Sequence, residues 1–227
     1  MVWLETLVPG SLEAFLDPQE AAKVLMEIDR YQEVLDARRR TAMEGNSIHT
    51  VKGFTVQQAV DVFEPAGRGE IHELPAPVEE ILTAAVARRM AEIRRYFPSA
   101  ADVGPWFYAE YGEGQFITAH ADQYKNKKQP DHPKIAAISV QLNDGFTGGE
   151  IFVETSGASD LWTQDDGTER LMRMANYASE KFRSIPRTRW TAEPALGTAY
   201  LIGSQVVHGT RPVTRGRVRK VISWINA

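Results

Sequence analysis

Cysteine is absent from the 227 residues, which excludes disulfides, thiolate zinc sites, iron–sulfur clusters and cysteine nucleophiles. Positive charge is not in excess. Lys and Arg number 26 against 30 Asp and Glu, a formal net charge of -4, and a nucleic-acid platform usually carries the opposite field. No apolar run approaches the roughly 20 residues of a transmembrane helix. The first ten residues lack the basic-then-apolar order of a secretory signal. The expected setting is therefore cytoplasmic, with neither membrane nor nucleic acid as partner. Histidine is sparse, at five residues, so any imidazole chemistry must come from His49, His72, His120, His132 or His208.

What is present fits one domain with a sizeable core: 43% hydrophobic, 25% charged. Asp17-Pro18-Gln19-Glu20 predicts a helix start, with Asp as cap, Pro at the first helical position and Glu three residues after the cap. Ala22, Val24, Leu25, Ile28 and Leu35 continue it at near-helical spacing. A second helix is expected over 77–96, where Val78, Ile81, Leu82, Ala85, Val86, Met90 and Ile93 share a face and Pro98 is a stop. Residues 40–72 give no clear assignment. From Trp106 onward the character changes. Short β-branched and aromatic runs at 106–111, 135–142, 151–154, 198–202 and 218–225 are separated by Gly, Pro and Asp turns, the pattern of a sandwich or barrel. Helices first and strands after predict an α+β chain whose helices back an antiparallel sheet. The expected division is helical support over 1–104 and a β core over 105–227. The core is interrupted by a 155–197 insertion with a helix near 165–182.

The chemistry centres on His120-Ala-Asp122 and, far downstream, His208. In a strand, residues i and i+2 project to one face, so His120 and Asp122 can reach one ion and His208 can join from a neighbouring strand. Two imidazoles and a carboxylate can occupy one face of an octahedral metal and leave three positions open, the facial triad of non-heme Fe(II) oxygenases. Taken singly, each histidine reads as readily as a surface or satisfied buried side chain.

The flanking blocks change that reading. Tyr111-Gly-Glu-Gly-Gln-Phe-Ile-Thr-Ala-His120-Ala-Asp122, then Leu142-Asn143-Asp144 with Gly148-Gly149-Glu150, then Pro194-Ala-Leu-Gly197 before His208, then Pro212-Val-Thr-Arg-Gly216 resemble the Fe(II)/2-oxoglutarate-dependent dioxygenases. The likeness is greatest to the prolyl-4-hydroxylase-like group and covers residues 106–225. It implies a double-stranded β-helix (jelly roll) core backed by N-terminal helices, with the 155–197 helical insertion near the active-site mouth. The implied metal ligands are His120, Asp122 and His208, around Fe(II). 2-Oxoglutarate and O2 are the implied co-substrates, and ascorbate is a candidate reductant. Related halogenases carry a small residue where Asp122 stands, so hydroxylation is expected over halogenation.

The resemblance also implies a basic anchor for the far carboxylate of 2-oxoglutarate, since planar guanidinium donors match a carboxylate. The prolyl-4-hydroxylase-like spacing of ten residues after the distal histidine falls on Val218. Phytanoyl-CoA hydroxylase-type enzymes use eleven, which selects Arg219, with Ser223 on the same face; Lys220 is the alternative. Tyr111 is a candidate co-substrate ligand or a core residue. The charged stretch 125–134 is a solvated loop or a flap, and 155–197 is a lid or a helix packed outside the sheet. Trp162 and Arg189 are its candidate substrate contacts. The expected function is hydroxylation of an unactivated C–H bond in a small molecule such as an amino acid or metabolite, with succinate and CO2 as products. The alternatives are a prolyl or other residue hydroxylase acting on peptide or protein, and a catalytically silent jelly-roll binding protein. A zinc hydrolase fits the ligand types alone. Oligomeric state has no signal in the sequence.

Overall fold

A computed structural model describes residues 3–30, 40–41, 55–122, 132–156 and 187–227. A 3-10 turn at Trp3–Leu7 leads into β1 (Pro9–Leu12) and α1 (Pro18–Arg30), followed by β2 (Arg40–Thr41), α2 (Val56–Phe63), β3 (Gly69–Ile71) and α3 (Ala76–Tyr96). Strands then dominate: β4 (Asp102–Val103), β5 (Phe107–Tyr111), β6 (Ile117–His120), β7 (Lys134–Gln141), β8 (Thr147–Gly148) and β9 (Ile151–Ser156). The chain closes with β10 (Arg187–Thr191), β11 (Ala199–Gly203), β12 (His208–Thr210), β13 (Val213–Arg215) and β14 (Val218–Asn226).

The first helix starts where its sequence dictates. The Glu20 amide donates to Asp17 Oδ1 at 2.7 Å and the Asp17 amide to Glu20 Oε2 at 3.1 Å. This reciprocal box satisfies two amides that have no partner within the helix. Its buried face is Ala21, Val24, Glu27 and Ile28. Ala22, expected inside, is exposed, and Leu35 lies outside the described residues. In α3 the buried stripe Val78, Leu82, Ala85 and Ile93 follows the predicted period. The Phe97 amide closes the helix on the Ile93 carbonyl, one residue ahead of Pro98.

Two antiparallel sheets form the jelly roll. The larger has the order β1-β11-β7-β14-β5-β3-β2, with β4 beside β14; the smaller has the order β10-β9-β12-β6. One face of the larger sheet packs on the helices, where Tyr108, Ile138, Val140, Leu201, Val221 and Ile225 join Phe15, Val24, Ile28, Val78, Leu82 and Ile93 in the main core. Each fully buried aliphatic side chain there contributes roughly 1.5–3 kcal/mol. The other face looks across to the smaller sheet, and the site lies between them.

Two expectations about organisation change. The first hundred residues are not only helical support. The strand β1 forms one edge of the larger sheet, and β3 pairs with β5 through Gly69↔Glu110, Glu70↔Ala109 and Ile71↔Tyr108, bringing Gly69–Ile71 from the unassigned stretch into that sheet. The 155–197 connection also begins and ends in the smaller sheet, because β10 pairs with β9 from Arg187↔Ser156 to Thr191↔Phe152. The helix expected near 165–182, with Trp162, lies outside the described residues, as does the loop from 125 to 131. Gly148, which ends β8, and Gly149 both have positive φ (73° and 74°). A Cβ at Gly148 would sit 2.2 Å from the Pro212 carbonyl oxygen, so only glycine is accommodated there. No helix among the described residues is long and apolar enough to cross a membrane.

Candidate metal centre and co-substrate pocket

The three predicted ligands converge. His120 ends β6 and His208 opens β12, and the two are directly opposite in register, with Val153 of β9 on the far side of His208. Their rings lie 4.5 Å apart, tilted by 47°. Asp122 bridges them: Oδ1 is 3.8 Å from His120 Nε2 and Oδ2 is 3.8 Å from His208 Nε2. Both histidines are buried, and one potential ligand atom from each of the three residues lies within 4.8 Å of the others.

Backbone carbonyls set the tautomers. His120 Nδ1 donates to the Thr118 carbonyl at 2.7 Å and His208 Nδ1 to the Val206 carbonyl at 2.9 Å. A proton held on Nδ1 leaves the Nε2 lone pair free to face the shared centre, the usual way a second contact orients a metal-binding imidazole. The donor set of two neutral imidazoles and one carboxylate, with no thiolate, suits Fe(II). The N-terminal region supports the first ligand. Thr118 Oγ1 donates to the Val62 carbonyl at 2.9 Å, and Phe63 of α2 meets the His120 ring edge-on at 6.0 Å.

A cleft of about 510 Å³, its open mouth included, runs from this centre between the sheets. Its walls include Phe107, Ile117, Ala137, Ile151, Ile202, Ile222 and Trp224, and its polar lining includes Arg68, Tyr111, Ser139, Thr210 and Lys220. Lys220 is the notable one. It sits on the central strand β14 between Gln141 of β7 and Ala109 of β5, fully buried. Its Nζ is 3.5 Å from Thr210 Oγ1 and 5.0 Å from the Tyr111 ring centroid. Among the described residues no carboxylate pairs with it. Burial, and secondarily the Arg68 charge, push the ammonium down to about 7.

The expected anchor, Arg219, points the other way. Its Nε donates to Tyr108 Oη at 2.5 Å and its Nη2 to Asp29 Oδ1 of α1 at 2.5 Å. Burial works against this charge, but the contacts with Asp29 and Tyr108 outweigh it and raise its pKa above the ordinary value. Ser223 also faces the helix side, with its hydroxyl against the Gly104 and Pro105 carbonyls. Successive residues of a strand alternate faces, so placing Arg219 inside rather than Lys220 would have reversed the whole strand. The inward set is Lys220, Ile222 and Trp224, and the cation stands twelve positions after His208.

Arg189 is likewise not at the cleft. It pairs with Glu154 and lies 3.9 Å over the Phe152 ring, whereas the cleft is lined by Ile151 of that strand. Tyr111 does reach the cleft, fully buried, and its hydroxyl accepts from Arg68. Arg68 had no sequence signal. Its role depends on the β3–β5 pairing, and nothing local in residues 64–70 announces that.

The comparisons with known proteins agree with this geometry. A family model described as the 2OG-Fe(II) oxygenase superfamily matches residues 106–226. The chain belongs to that superfamily. It is an oxygenase of the Fe(II)- and 2-oxoglutarate-dependent type, and the His120, Asp122 and His208 cluster falls inside the matched region. No curated protein sequence matches the chain. Solved structures share its fold at low identity. One is a prolyl-4-hydroxylase from Pseudomonas putida, with TM-score 0.59, 16% identity, and coverage of 98% of this chain and 94% of that one. Another is a prolyl hydroxylase from Trichoplax adhaerens in complex with a hypoxia inducible factor oxygen degradation domain peptide fragment, with TM-score 0.58, 13% identity, and 98% and 85% coverage. A third is HygX from Streptomyces hygroscopicus with nickel and 2-oxoglutarate bound, with TM-score 0.57, 15% identity, and 97% and 83% coverage.

Proposed function

We propose that this oxygenase hydroxylates an unactivated C–H bond of a small molecule, an amino acid or metabolite, converting 2-oxoglutarate and O2 to succinate and CO2 as one oxygen atom enters the product. His120, Asp122 and His208 would hold the iron. Lys220 would anchor the far carboxylate of 2-oxoglutarate, with Tyr111 and Thr210 beside it. The observation that carries the anchor is a fully buried ammonium in the same cleft as the three ligands, with no carboxylate partner among the described residues. A buried cation is costly unless an opposite charge meets it, and a dicarboxylic keto acid supplies that charge.

Bound iron supplies what no side chain here can, the activation of O2 coupled to oxidative decarboxylation of the keto acid. The protein's part is placement. Both histidines keep their protons on Nδ1, donated to backbone carbonyls, so their Nε2 atoms remain available. Lys220 and Tyr111 set the depth of the keto acid. Phe107, Ile222 and Trp224 line the cleft with apolar surface, which excludes water and seats a hydrocarbon portion of the substrate. Ascorbate as reductant rests on the family resemblance alone.

Succinate release from 2-oxoglutarate under O2, with Fe(II) added to metal-stripped protein, tests the reading. Turnover that needs both iron and 2-oxoglutarate is expected, and turnover indifferent to either removes it. The rival substrate is a peptide, as in the Trichoplax complex. Intact-mass measurement on proline-containing peptides after incubation decides this, since a gain of one oxygen atom assigns the enzyme to peptides.

A further inference from the structure

We propose that Arg68 is a positioning residue for co-substrate binding: it fixes the Tyr111 hydroxyl as a hydrogen-bond donor aimed at the far carboxylate of 2-oxoglutarate. This rests on the anchor reading above and adds a residue from outside the family-matched region 106–226.

The argument begins with backbone pairing. Gly69 of β3 is opposite Glu110 of β5, so Arg68 arrives beside Tyr111. Its guanidinium is buried and donates to the Tyr111 hydroxyl oxygen. Two carboxylates hold it there: Glu64 Oε1 at 3.3 Å, and Glu70 in direct contact. Glu70 is itself tied to His72 Nε2 at 2.9 Å, and the His72 ring stacks on Phe107 at 5.2 Å. The clamp thus runs from a partly exposed imidazole to the cleft.

A guanidinium has donors and no acceptor. The phenol oxygen facing it must accept, so the single phenolic hydrogen has to point elsewhere. Burial raises the Tyr111 pKa, so that hydrogen is kept. On its cleft side Tyr111 meets Lys220, whose Nζ lies 5.0 Å from the ring centroid and, as an ammonium, also only donates. Both groups therefore present hydrogens toward the same space, and an arriving carboxylate is the acceptor they lack. Glu64 and Glu70 engage Arg68 from its other side. Engaged by both, it acts on the co-substrate through Tyr111.

Calorimetric titration of the manganese-loaded protein separates the possibilities without turnover. The probes are 2-oxoglutarate and 2-oxobutyrate, a keto acid lacking the far carboxylate. Arg68→Lys keeps a cation between the glutamates but withdraws the planar fork from Tyr111. It should weaken 2-oxoglutarate by about tenfold, the scale of one charge-assisted hydrogen bond, and leave 2-oxobutyrate unchanged. Tyr111→Phe should lose about the same, and the double variant should be no weaker than Tyr111→Phe alone. If the two losses multiply, Arg68 acts independently of Tyr111 and the proposal fails. Should Arg68→Lys fail to fold, Arg68→Gln with Glu64→Gln and Glu70→Gln removes the guanidinium without stranding either carboxylate and faces the same comparison. Full 2-oxoglutarate affinity in Tyr111→Phe and Lys220→Met would instead remove the anchor reading itself, a different pattern of results.

Discussion

Replacing Lys220 by Met should stabilise the ligand-free protein and sharply weaken its binding of 2-oxoglutarate. The ammonium is fully buried on the central strand, near Arg68, Tyr111 and Thr210 and in one cleft with His120, Asp122 and His208. It gives up its proton at about 7 instead of the usual 10.5. Between those two values the unfolded chain binds one more proton than the folded one. Stability attributable to this residue therefore rises with pH across the window and is at its lowest below pH 7. At pH 7 the deficit is roughly 4 kcal/mol relative to a side chain that does not titrate. Methionine has a similar length and no charge to bury, so a gain of roughly 2–4 kcal/mol is expected, a rise in melting temperature on the order of 5–10 °C for a chain of this size. Added 2-oxoglutarate at about a hundred times its wild-type Kd should raise wild-type stability by about 2.7 kcal/mol and raise that of the variant by far less. In the wild type, affinity for 2-oxoglutarate should fall by about tenfold per pH unit above 7, because binding then requires proton uptake. Thermal melts of the manganese-loaded proteins across pH, with and without the keto acid, read all of this. A variant that melts below wild type, or responds to 2-oxoglutarate as strongly as wild type, refutes the reasoning.

His208→Ala or Asp122→Ala should abolish iron-dependent succinate formation while far-UV circular dichroism stays unchanged; residual turnover near the wild-type rate would reject the ligand assignment. Arg219→Ala should leave the KM for 2-oxoglutarate unaltered. Its loss of unfolding free energy in a denaturant titration should be no more than about 1 kcal/mol, because its Asp29 partner is half exposed. Asp17→Ala should cost about 1 kcal/mol in the same unfolding experiment through loss of the helix cap, with activity intact. Gly209→Ala would place a Cβ 2.5 Å from the Phe152 ring and 2.7 Å from the Ile117 carbonyl oxygen. A destabilisation of roughly 1–3 kcal/mol should appear together with weakened metal binding, since the strain falls between His208 and Thr210.

In the function proposed above, Lys220 sets stability against co-substrate binding. An apolar residue there would make a more stable fold, and the same unmatched ammonium is what a dicarboxylic co-substrate can answer. Around it the protein commits donors on one side only. Arg68 is paired with Glu64 and Glu70 and donates to Tyr111, whereas Lys220 has, among the described residues, the long contact to Thr210 and the face of the Tyr111 ring but no carboxylate. That difference is why we assign the two neighbouring cations different parts.

The metal centre was legible in the chain because its information is local and ordered. His120 ends a strand and Asp122 follows two residues later, and the blocks around them and around His208 occur in a recognisable succession. The first helix was legible for the same reason, since its cap and partner lie three residues apart. What the chain could not reveal by itself was parity and pairing. Whether Arg219 or Lys220 faces inward depends on how β14 seats between β5 and β7, and a shift of one residue exchanges every side chain between core and cleft. Arg68 was invisible because 43 residues separate it from Tyr111, and only the β3–β5 ladder brings the two together. Arg189 and Ser223 offered the right chemistry for a site, but strand alternation turned each toward other partners. Residue types and short spacings are written in the sequence; which face of a sheet a side chain occupies is decided only when distant strands bond and fix their register.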